Sequence, residues 1–166
     1  MKKKILAITA GLLTAMALTA CGKDPKLTHF KGEIDAFCTE ISDIDTAINN
    51  VDAESDTATD ELLGYLDRLD TSFQNFAELD FPTEFDYLES LADEASAYMT
   101  QAVESYHEAY SNGGYNQLTA DYAKENYARA YKRIQIIITF LHGEQPENVN
   151  LTTAEETADA ASTTAE

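Results

Sequence analysis

The chain has 166 residues, with 30 acidic side chains against 11 Lys and Arg and a formal charge of −19. Such a surface is repelled by nucleic-acid phosphates and by anionic lipid headgroups, which argues against both as direct partners and favours basic proteins or cations. The length suits one folded domain after any N-terminal processing.

The first residues are Met1-Lys2-Lys3-Lys4, followed by an apolar run from Ile5 to Leu18. A short basic head before a short apolar stretch is a secretory signal, and the run falls short of the ~20 residues that span a bilayer. Leu18-Thr19-Ala20-Cys21-Gly22 comes next. This segment resembles the lipobox of bacterial lipoproteins. The resemblance covers residues 1–22 and implies a signal peptide over 1–20, cut between Ala20 and Cys21, with a diacylglyceryl group on the Cys21 thiol. It also implies an extracytoplasmic protein held to a membrane by that lipid, on the cell surface or the periplasmic face. Acyl chains contribute about 0.8 kcal/mol per buried methylene, so two or three on one cysteine anchor firmly. All 30 acidic residues but only 8 of the 11 basic ones lie beyond residue 20, so the processed chain carries a formal charge of −22.

Residues 21–25 read as the lipidated cysteine and a short linker, and residues 26–143 as a four-helix bundle. Asp24-Pro25 is an N-cap followed by proline in the first helical turn. From there Leu27, Phe30, Ile34, Phe37, Ile41, Ile44, Ile48 and Val51 recur in alternating steps of three and four, the signature of a helix packed lengthwise on others. Acidic residues, including Glu33, Asp35, Glu40, Asp43 and Asp45, are expected on the opposite, solvated face. Cys38, beside the seam, is expected to be a small buried apolar residue and, with Cys21 carrying lipid, to have no intramolecular disulfide partner.

Asn49–Asp60 reads as an acidic loop. Thr57 and Asp60 form an approximate capping box for a second helix with Leu62, Leu66, Leu69, Phe73 and Phe76 on its seam. Phe81-Pro82 interrupts the pattern, and Thr83 with Asp86 is expected to cap a third helix. That helix carries Phe85, Leu88, Ala92, Ala95, Met99, Ala102, Tyr106 and Ala109, and ends at Asn112-Gly113-Gly114. A fourth begins near Asn116 and carries Ala120, Ala123, Tyr127, Ala130, Ile134, Ile137 and Leu141, with Gly143 ending it. The predicted fold is all-α, an antiparallel up-down bundle. Alanine on the seams of the last two helices predicts their closest approach. Lys124, Arg129, Lys132 and Arg133 are expected to pair with acidic flanks of neighbouring helices. Residues 144–166 read as a disordered acidic tail with almost nothing to bury.

The chemical motifs are sparse. Glu104 and His107 have the Glu-x-x-His spacing of di-iron bundles, but the motif occurs once and lies off the seam, as do His29 and His142. Asp52, Glu54, Asp56 and Asp60 imitate part of a calcium loop, yet Thr57 and Leu63 occupy the positions that need glycine and glutamate. No phosphate loop, nucleophile elbow or Cys-x-x-Cys is present. The expectation is therefore no cofactor, no metal and no catalytic residue. Eight of the nine tyrosines fall between Tyr87 and Tyr131. The Tyr110–Asn116 loop mixes Tyr, Ser, Asn and Gly, a composition suited to recognition. Tyr110, Tyr115 and Tyr122 are the candidate binding residues, for a protein or glycan partner at the tip away from the membrane. The function expected is a lipid-anchored, non-enzymatic binding or scaffold module. The alternatives are an accessory subunit of a transporter or envelope assembly, and an enzyme with a shallow surface site.

Overall fold

A computed structural model describes residues 25–111 and 114–143. The signal segment, Cys21, Asp24, Asn112, Gly113 and the tail after Gly143 lie outside the described residues. Four helices pack as an antiparallel up-down bundle: α1 (Pro25–Asn49), α2 (Ala58–Ala77), α3 (Glu89–Ser111) and α4 (Gln117–Leu141). We call the end holding Pro25, the α2–α3 connection and Leu141 the base. The end holding the α1–α2 and α3–α4 connections is the tip.

The seams read from periodicity form the core. Ile34, Ile41, Ile44, Leu66, Leu69, Phe73, Leu88, Met99, Ile134 and Ile137 are essentially inaccessible. An aromatic spine runs from the base upward. Phe81 lies 4.9 Å from Phe30, Phe37 stacks on Phe76 at 4.3 Å, and Phe73 meets Tyr131 at 5.6 Å. The alanine seam behaves as its small volume dictates. Ala92, Ala95, Ala102, Ala109, Ala123 and Ala130 are fully buried, and α3 and α4 make the most extensive backbone approach in the bundle. The backbones of α1 and α4 stay further apart, and long side chains cross between them. Two arginines latch α4 to α3. Arg133 donates to Glu94 at 2.9 Å, while the Arg129 and Arg133 guanidinium groups lie 5.7 and 5.2 Å from the Tyr98 ring. Lys124 and Lys132 are exposed and make no ion pair among the described residues.

Several local expectations are corrected. Asp45 does not face solvent: it is buried against α4, where it accepts hydrogen bonds from Tyr127 at 2.6 Å and Tyr131 at 2.8 Å. Thr57 makes no side-chain cap. Its hydroxyl donates instead to Glu61 at 2.5 Å, and its backbone N–H donates to Ser55. Thr83 caps no helix, because the chain first makes a turn in which the Phe85 N–H donates to the Pro82 carbonyl. A 3-10 turn over Asp86–Leu88 then precedes α3. Val51 lies beyond the end of α1 and is only half-buried, as is Cys38. α4 begins beside Asn116 as expected, and the Asn116 side chain caps it, accepting from the backbone N–H groups of Leu118 and Thr119. Gly143 takes a positive φ of 74° past the end of α4, the left-handed conformation that glycine adopts at least cost.

Candidate functional site

The tip is built by the last turn of α3 and the first turns of α4. The Asn116 N–H donates to the Ala109 carbonyl at 2.9 Å, which holds the start of α4 against the end of α3. That closure brings Tyr110 and Tyr115 together, with ring centroids 5.2 Å apart and planes tilted by 51°. Tyr110 is half-buried and rests on the core, while Tyr115 stands out beside it. Below them lies Tyr106, buried on the α3 seam, whose hydroxyl has no hydrogen-bond partner among the described residues.

Burial first, and then the nearby Tyr110 and Tyr115 phenols and the Asp121 carboxylate, raise the Tyr106 phenol well above its ordinary range. Tyr115 feels the same carboxylate. Asp121 is exposed, and its Oδ1 accepts from Gln117 at 2.7 Å. These four side chains therefore share one electrostatic neighbourhood.

Tyr122, the third candidate, is half-exposed one turn further along α4. Its hydroxyl reaches Gln101 of α3 at 3.5 Å, the outer limit of a hydrogen bond, and it makes no ring contact with Tyr110 or Tyr115. Leu118 joins it at helical spacing i, i+4 and is 81% exposed. Sequence reasoning missed Leu118 because only seam positions were followed. A leucine off the seam in the first turn of α4 was the available signal. Tyr115, Leu118 and Tyr122 are three of the four exposed large apolar side chains among the described residues. The fourth, Tyr87, sits near the base and packs edge-on against Phe140 at 5.9 Å.

The tip is also strongly anionic. No Lys or Arg occurs from Gly32 to Asp67 or from Leu69 to Ala123. Asp52, Glu54 and Asp56 are exposed in the connection between α1 and α2, which lies at the same end of the bundle. There the Asp52 carboxylate accepts from the Glu54 N–H at 3.0 Å, an Asx turn.

The remaining candidates for chemistry resolve into packing. Glu104 and His107 both face outward, and His107 bonds across to Asp67 of α2 at 2.6 Å. Asp70 accepts from Thr100 of α3 and from Gln74, and burial holds its carboxyl above the usual range. Among the described residues no group of three His, Cys, Asp or Glu is arranged to hold a metal ion, and no helix is long and apolar enough to cross a membrane. At the base an open groove of about 530 Å³ lies between the start of α1 and the α2–α3 connection, lined by residues including His29, Glu33, Phe81 and Glu84. No protein-family model, curated protein or solved structure matches the chain.

Proposed function

We propose that the protein is an exported bacterial lipoprotein, cut before Cys21 and anchored by lipid on that thiol, whose helical bundle binds a partner at its tip without catalysing a reaction. Residues 1–22 support the anchor. Only Gly22, Lys23 and Asp24 separate Cys21 from Pro25, and three extended residues reach at most about 11 Å. The base therefore stays close to the lipid. A helix of 25 residues is about 37 Å long, so the tip projects clear of the headgroups.

The observation that carries the binding role is the concentration of exposed apolar surface. Tyr115, Leu118 and Tyr122 lie within one short stretch at the tip, on a chain whose other helix faces are polar or charged. Apolar side chains left in water at one place, rimmed by acidic groups, mark a surface that a partner covers.

Two experiments test this reading. Cys21→Ala should abolish incorporation of a labelled fatty acid and release the protein from membranes; unchanged labelling would overturn the anchor. A photo-crosslinking amino acid placed at Leu118 or Tyr122 in cells should give a discrete adduct, with none from the same probe at Tyr87. Equal adducts from all three positions, or none from the tip, would overturn the binding role.

A further inference from the structure

The neighbouring helix pairs of the bundle are not joined alike. α1 to α2, α2 to α3 and α3 to α4 are each linked by a connection at one end, whereas α1 and α4 are first and last in chain order and no connection crosses between them. Their backbones also approach each other least of these pairs. The ring contacts of α1 lead elsewhere. Phe37 meets Phe73 and Phe76 of α2, and Phe30 meets Phe81 and Phe85 of the α2–α3 connection. α1 can therefore leave α4 while it stays seated on α2.

The α1–α4 interface also holds a buried ionisable group. Asp45 is 8% exposed, and its carboxylate accepts from the Tyr127 and Tyr131 hydroxyls of α4. Those phenols are the titratable groups that face it; no charged side chain of α1, α2, α3 or α4 adds to its environment among the described residues. For a carboxylate buried without a cation, two neutral donors replace water only in part. Opening the interface returns the ion to water. A protonated carboxyl gains far less, because it donates to one phenol oxygen while it accepts from the other hydroxyl. Burial moves the Asp45 carboxyl upward for the same reason. Ionisation thus favours the open interface, and protonation the closed one.

We propose that the α1–α4 interface is a gate that opens while the other three helix pairs stay packed, shut by protonation of Asp45 and loosened by its ionisation. The motion is a local opening and not unfolding. It depends neither on the lipid anchor nor on a partner at the tip. The chain carries its own reporter. Cys38, half-buried, lies seven residues before Asp45 on the same flank of α1, so an open gate exposes its thiol.

The test uses the full chain in neutral detergent micelles and 4,4′-dithiodipyridine, which reacts with thiols in acid as well as at neutral pH. Mass spectrometry of the Cys38 peptide gives the labelling rate. A second chain, Cys38→Ala with Ala102→Cys, places the thiol between α3 and α4 as a control. At neutral pH, Asp45→Asn should slow labelling of Cys38 severalfold. Simple removal of a negative charge near a thiolate would speed it instead. The ratio of native to Asp45→Asn rates should fall towards one as pH falls through the folded pKa of Asp45. Tyr131→Phe removes a donor to the buried carboxylate and should speed labelling of Cys38 about tenfold. Labelling at position 102 should not respond to either change. Low urea should scarcely alter labelling of Cys38, and should raise labelling at position 102 steeply, because only the latter needs global exposure. Equal urea dependence at the two positions would overturn the gate, since both thiols would then be labelled through unfolding. A native-to-variant ratio that stays flat with pH, or faster labelling in Asp45→Asn, would overturn the role of Asp45. Should Asp45→Asn not fold, equal acceleration at positions 38 and 102 in Tyr131→Phe would overturn the proposal by itself.

Discussion

Replacing Asp45 by alanine removes a buried carboxylate that ties α1 to α4. In the native protein both of its oxygens are engaged, Oδ1 by the Tyr127 hydroxyl at 2.6 Å and Oδ2 by the Tyr131 hydroxyl at 2.8 Å. The two rings stack at 4.8 Å, so their hydroxyls cannot swing to solvent without breaking that contact. The alanine variant leaves both buried donors unmatched, at about 1–3 kcal/mol each, and relieves part of the cost of burying a charge. The net loss should be about 3 kcal/mol, which in a domain of this size lowers Tm by roughly 10 °C. Urea unfolding followed by circular dichroism measures it directly. A loss below about 0.5 kcal/mol would refute the claim that this triad holds the helices together. The pH dependence gives a second reading. Burial raises the Asp45 carboxyl above its usual range, and the hydrogen bonds from Tyr127 and Tyr131 only partly oppose this. The folded form therefore takes up a proton more readily than the unfolded chain. Stability from this group rises as pH falls from its folded pKa towards the ordinary aspartate value, and is lowest above the folded pKa. Asp45→Asn lacks the titration, so the difference in unfolding free energy between native protein and variant should change across that window in the native protein's favour on acidification. Parallel pH curves would show that Asp45 does not carry the shift.

Phe37→Ala and Leu69→Ala remove side chains buried at the centre of α1 and α2, and each should cost roughly 2–5 kcal/mol in the same urea assay. Ala102→Leu places a larger side chain where α3 and α4 approach most closely. It should cost about 1–3 kcal/mol, and a neutral result would mean that the alanine seam is not what sets their spacing. The Cys38 thiol is pushed up to about 11, by burial first and by the Asp35 charge second. At mildly alkaline pH it should react with iodoacetamide more than about a hundredfold slower than a free thiol, and unfolding in urea should restore the rate. Mass spectrometry of the Cys38 peptide reads this out, and rapid labelling of the folded chain would show an open, reactive site.

The helices and their inward faces were legible in the sequence because helix geometry is local. Steps of three and four put Phe30, Ile34, Phe37 and Ile41 on one side whatever the rest of the chain does, and Asn116 and Gly143 mark the ends of α4 by their own chemistry. Alanine at Ala92, Ala95, Ala102 and Ala130 likewise announced which pair of helices would lie closest, because the small side chain limits the spacing directly. Asp45 was not legible. It sits one position from Ile44, and a carboxylate there is stable in the interior only because Tyr127 and Tyr131, 82 and 86 residues away, deliver their hydroxyls to it. The tip divides in the same way. Its tyrosines and glycines could be picked out by composition, but their grouping depends on how α3 and α4 meet. Tyr115 reaches Tyr110 because the Asn116 N–H bonds back to Ala109, whereas Tyr122 makes no ring contact with either and reaches Gln101 of α3 instead. The Tyr106 hydroxyl is the sharpest case. Its seam position follows from periodicity, whereas its lack of a partner depends on every atom packed around it, and only the assembled bundle decides that.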